Sequence, residues 1–163
     1  MPAPTGRLFV YAMAAGAAAL ALAWAASGDS APSQDELKML QDPAGWEYVR
    51  ISDQDAGVQT QHTCFDGQPH PQECSGTLTM NADNSFVQQV HIHGQTVARH
   101  GAYRLDDSGI AFFDEFGTED GPYRFTIDMK AKRLTLEMPQ VRDEFVLEKK
   151  YKRQREQRTG APQ

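Results

Sequence analysis

From Trp46 onward the chain alternates between short runs rich in Val, Ile, Thr, Phe and Tyr and clusters of Gly, Asn, Asp and Pro, with no convincing helical period. The runs are GWEYVRIS (45–52), VQTQHTC (58–64), GTLTM (76–80), SFVQQVHI (85–92), TVARHGAYRL (96–105), IAFFDEF (110–116), YRFTIDM (123–129), RLTLEM (133–138) and DEFVLEKKY (143–151). Between the later runs lie NADN, HGQ, DDSG, GTEDGP and KAK, turn clusters short enough to join only antiparallel neighbours. The pattern therefore predicts an all-β chain, an antiparallel meander of 8–9 strands. A sheet of that many twisted strands with one apolar face closes on itself or splits into two layers, and an up-and-down barrel is the expected solution.

Alternation along single strands assigns an inside and an outside. Phe86, Val90 and Ile92 share one face of their strand, Leu134, Leu136 and Met138 share another, and Phe145 and Leu147 do likewise. On the first strand, Trp46, Tyr48 and Arg50 are expected on one side, with Glu47, Val49 and Ile51 on the other. Ahead of it, Ser33 with Glu36 three residues on has the form of a capping box, and Leu37, Met39 and Leu40 supply an apolar side, so a short helix is expected before Asp42-Pro43.

Residues 8–26, LFVYAMAAGAAALALAWAA, carry no charge. They are read either as a transmembrane anchor, being just long enough to span a bilayer, or as a signal peptide cleaved near Ala23-Trp24-Ala25. Arg7 lies before this run and Asp29, Asp35 and Glu36 after it, so both readings export everything downstream, to the periplasm, the periplasmic face of the inner membrane or the exterior. The expected organisation is a signal or anchor over 1–27, a linker and short helix over 28–44, the barrel over 45–150 and a basic tail over 151–163.

Charge divides between the last two. Residues 29–148 hold 21 acidic and 9 basic residues, whereas 149–158, KKYKRQREQR, hold six basic and one acidic. A domain so acidic repels polyanions, which argues against a nucleic-acid partner. The chain contains no G-x-S-x-G elbow and no phosphate-binding glycine loop, and an enzyme is the less favoured class.

GTLTMNADNSF (76–86) followed by GAYRLDDSGIAFF (101–113) resembles the paired-hairpin rhythm of bacterial lipocalin-like domains. The resemblance implies a calycin-type barrel able to enclose a small apolar or amphipathic ligand. Phe86, Val90, Ile92, Leu134 and Phe145 would then line the cavity. A barrel filled by its own side chains, acting as a structural or protein-interaction module of the cell envelope, is the alternative. No cofactor is expected.

Three stretches are candidates for local chemistry. Cys64 and Cys74 are the only cysteines, and nine residues intervene, too many for the short bite of a Cys metal pair. In an exported domain they are expected to form a disulfide, leaving His70 exposed. His91 and His93 project to one face of a strand. A turn centred on Gly94-Gln95 would bring His100 diagonally across from His91, making His91, His93 and His100 a candidate site for Zn²⁺ or Cu²⁺. Finally, Asp114, Glu115, Glu119 and Asp120 surround a loop expected to be a solvated turn over Phe112, Phe113, Phe116 and Tyr123.

Overall fold

The computed structural model describes residues 31–55 and 57–150. The segment expected to be a signal or anchor and the basic tail lie outside the described residues; within them, no helix is long and apolar enough to cross a membrane.

Helix α1 (Gln34–Leu40) starts at the expected capping box: the Ser33 amide donates to Glu36 Oε2 at 2.7 Å and the Glu36 amide to Ser33 Oγ at 3.2 Å. Nine strands follow: β1 (Trp46–Asp55), β2 (Val58–Thr63), β3 (Cys74–Met80), β4 (Ser85–Ile92), β5 (Gln95–Asp106), β6 (Gly109–Asp114), β7 (Glu119–Asp128), β8 (Arg133–Met138) and β9 (Asp143–Lys149). They form one antiparallel sheet in the order β2-β1-β3-β4-β5-β6-β7-β8-β9, and β1 also pairs with β9. Eight strands thus close a barrel, with β2 as an extra strand.

The extra strand arises because β1 is longer than its neighbour. Its first residues, Trp46 and Glu47, pair with Leu78 and Thr77 of β3, and Arg50 to Asp55 pair with β2 instead. The Cys64–Cys74 disulfide, with Cα atoms 4.7 Å apart, joins the end of β2 to the start of β3 along the same edge of β1.

Two bulges reset the alternation. Between Tyr48 and Arg50 the β1–β9 register shifts, so Trp46, Tyr48 and Ile51 all face inward and are buried. Strict alternation had assigned Ile51 to the side opposite Trp46; the bulge is why it is not there. Between β6 and β7, Ile110 pairs with Tyr123 and Phe112 with Asp120, so Ala111 is spanned by two residues and both Tyr123 and Asp120 turn inward.

One end of the barrel is closed by α1. Leu40 and Trp46 are fully buried, and the Trp46 indole N–H donates to the Leu40 carbonyl at 3.1 Å. Beside it, Gln41 Nε2 donates to the Tyr103 hydroxyl at 2.7 Å, which in turn donates to the Asn81 carbonyl. The opposite end carries the β1–β2 hairpin, the β4–β5 turn, and the β6–β7 and β8–β9 connections.

Candidate functional site

In an up-and-down barrel a small ligand would occupy the interior. Phe86 and Leu134 are wholly buried, and Val90, Ile92 and Phe145 are partly buried against the same core. A chain of edge-to-face rings crosses the lumen. Phe86 meets Phe112 at 5.0 Å between centroids, Phe112 meets Tyr123 at 6.1 Å, Tyr123 meets Phe145 at 5.7 Å and Phe145 meets Tyr48 at 6.1 Å. These rings come from β4, β6, β7, β9 and β1, so side chains from most of the wall converge on the volume a ligand would need.

Above the rings lies a polar layer. The Gln88 amide donates to the Tyr48 hydroxyl at 2.6 Å, the Tyr123 hydroxyl donates to Asp120 Oδ1 at 2.6 Å, and Arg99 binds the other Asp120 oxygen. Burial pushes the Tyr48 phenol up to about 12, with the Gln88 hydrogen bond opposing and the Asp120 charge reinforcing the rise. Burial also raises the Tyr123 phenol far above its ordinary range, reinforced by its bond to Asp120. Both phenols therefore stay neutral near pH 7 and act as hydrogen-bonding struts, not bases. At the rim, burial raises the Asp143 carboxyl. The Gln54 amide opposes this, and the charges of Asp53 and Asp120 add to it. Four polar residues of this layer, Tyr48, Gln88, Arg99 and Asp120, do not stand out from sequence as a group, because Asp120 reaches the lumen only through the β6–β7 bulge and the others meet it only across the closed barrel.

The histidines distribute differently from the expected hairpin. The β4–β5 turn is centred on His93-Gly94, both with positive φ (53° and 71°), as a two-residue primed turn requires. His91 therefore opposes Thr96 and lies 3.0 Å from its hydroxyl, while His100 opposes Val87 and pairs with Glu115 at 3.2 Å. Along the strands, His91 and His100 are separated by four residues, roughly 13 Å. His93 instead leaves the strand and reaches over to β1, where its Nε2 lies 3.2 Å from Asp53 Oδ2 and its ring packs edge-on to His62 of β2 at 4.6 Å. The structure thus brings together Asp53, His62 and His93.

The acidic loop disperses. Asp114 accepts from the amides of Phe116 and Thr118, which hold its carboxyl below the ordinary range, Glu119 approaches Arg104, and Asp120 is inside the barrel. Phe112 and Tyr123 pack inward as expected, but Phe116 is 86% exposed at the loop tip. In the cysteine loop, His70 lies 2.8 Å from Asp66 and its backbone amide donates to the Cys64 carbonyl.

One concavity lies outside the lumen. A groove of about 780 Å³ runs over the outer faces of β1, β2, β8 and β9 beneath the disulfide loop at Phe65–Gly67. Its floor holds Val49 and Val146, outward-facing residues that are nonetheless buried, and two cross-strand ion pairs, Arg50–Glu144 and Arg133–Glu148. With Glu137 and Asp66 also on its wall, the groove carries more carboxylates than guanidinium groups. Compared with known proteins, the chain matches no family model, no curated protein and no solved structure.

Proposed function

We propose that this protein is an exported, lipocalin-like β-barrel that serves the cell envelope as a binding or accessory module through its outer surface, and that it is not an enzyme. The observation that carries this reading is the ring chain from Phe86 to Tyr48, which occupies the lumen with the protein's own side chains. Lipocalin-type ligand capture needs an empty interior, and pockets that bury small ligands run to about 300–1,000 Å³. The groove under the disulfide loop is of that size, polar and net acidic, which suits an extended polar or basic segment better than an apolar small molecule.

The arrangement of potential acid–base groups agrees with a non-catalytic role. Tyr48 and Tyr123 are held neutral, and Arg99 and Asp120 neutralise each other. Native mass spectrometry of protein purified without detergent from its exporting cell tests the proposal. The expected spectrum shows the bare chain with one disulfide. A stoichiometric apolar molecule retained through purification and released by organic extraction would overturn it.

A further inference from the structure

At the rim of the barrel, three potential metal ligands from three separate elements meet. Asp53 is on β1, His62 on β2 and His93 in the β4–β5 turn, and their ligand atoms all lie within 4.8 Å of one another. Asp53 Oδ1 is 3.7 Å from His62 Nε2, and Asp53 Oδ2 is 3.2 Å from His93 Nε2. Both Asp53 Oδ1 and His62 Nε2 are buried atoms with no hydrogen-bond partner. A buried acceptor and a buried ring nitrogen facing each other unsatisfied cost free energy unless something bridges them.

We propose that Asp53, His62 and His93 form a binding site for a first-row transition dication, with Zn²⁺ the ion the geometry suits best. Tetrahedral Zn²⁺ with bonds of about 2.0–2.1 Å places its ligand atoms about 3.3 Å apart, so the three ligand atoms, already within 4.8 Å of one another, need to close by no more than about 1.5 Å. Two imidazoles and one carboxylate favour a borderline ion over Mg²⁺ or Ca²⁺, which take oxygen-rich shells. Three protein ligands leave a fourth position for water or for a donor group from a partner.

The fold holds the three groups in place. Asp53 opposes Thr60 and His62 opposes Ile51, so Asp53 and His62 are diagonal neighbours on the inward face of one hairpin. Two residues beyond His62, the Cys64–Cys74 disulfide ties β2 to β3, and β3 pairs with β4, the strand that leads into His93. His93 itself is held in the left-handed region at φ 53°, which points it back across the mouth. The surroundings attract a cation as well: Asp120 and Asp143 face the same mouth, and the Arg99 guanidinium there is paired with Asp120. This site is distinct from the groove and stands whether or not the groove binds a partner.

The test is a competition titration of the disulfide-bonded protein against a chromophoric Zn²⁺ chelator, with His62→Gln and His93→Gln as loss variants and His91→Gln and His100→Gln as controls. One Zn²⁺ per chain is expected, weakened at least about tenfold by either loss variant and unchanged by either control. A second reading needs no variant. In imidazole ¹⁵N spectra, Zn²⁺ should shift the resonances of His62 and His93 and leave those of His70, His91 and His100 in place. Absence of stoichiometric Zn²⁺ binding, binding unaffected by the loss variants, or shifts confined to His70, His91 or His100 would each overturn the assignment.

Discussion

Phe112 sits in the middle of the ring chain, 4% exposed, between Phe86 at 5.0 Å and Tyr123 at 6.1 Å. Truncating it to Ala removes a ring from a close-packed lumen that cannot collapse freely, because the wall is a hydrogen-bonded barrel closed on itself. The expected loss is about 3–5 kcal/mol, the range for buried Phe→Ala, and the two edge-to-face contacts account for about 0.5–1.5 kcal/mol each. For a domain of this size, with a total stability of about 5–15 kcal/mol, that is a lowering of Tm by roughly 10–20 °C. Urea denaturation followed by Trp fluorescence measures the loss, since buried Trp46 reports on the core. The vacated space is apolar and should stay dry, so benzene is expected to raise the Tm of the Phe112→Ala variant and leave that of the wild type unchanged. A loss below about 1 kcal/mol, or wild-type protein that benzene already stabilises, would refute the idea of a filled lumen.

Lys149 is fully buried with its Nζ 4.1 Å from the Trp46 ring centroid and no hydrogen-bond partner, and burial lowers it from 10.5 to about 8. Because the unfolded chain then binds the extra proton between about pH 8 and 10.5, stability should rise with pH across that window, and pH-dependent urea titrations of Lys149→Met should lose the rise. The Asp143 carboxyl is raised in the folded state, so its ionisation disfavours folding as pH climbs above 3.8; Asp143→Asn should be at least as stable as wild type at pH 7, with the difference shrinking toward pH 4 in the same assay. Replacing Cys64 and Cys74 by Ser reopens a loop of sequence separation 10 and should cost about 2–3 kcal/mol in thermal or chemical denaturation, the loop-closure value.

Much of the barrel is legible in the chain because its strands and turns are set by local chemistry. β4 at Ser85–Ile92 and β8 at Arg133–Met138 coincide with their alternating runs, and the Ser33–Glu36 capping box starts α1 where its spacing places it. What the alternation misses is any element whose position depends on a register slip. The extra residue at Tyr48/Arg50 carries Ile51 inside, and the one opposite Ala111 brings Asp120 to Arg99; a period of two has no way to anticipate either. The histidine turn lies one residue earlier than the Gly94-Gln95 centre that the sequence suggests. An Asn-Gly-like signal at His93-Gly94 would have moved the predicted pairing by two and freed His93 from its strand. His62 and Asp53 carry no local signature at all, since they meet His93 only because β1 overruns β3 and takes a second partner.

The rings of Phe86, Phe112, Tyr123, Phe145 and Tyr48 occupy the lumen and leave no room there for a small apolar ligand. Xenon under pressure enters apolar voids and is located directly in crystals or by chemical shift in solution. No xenon site is expected among Phe86, Phe112, Tyr123 and Phe145 in wild-type protein, and one such site is expected in Phe112→Ala. An ordered xenon atom within that ring cluster of the wild type would contradict a filled lumen.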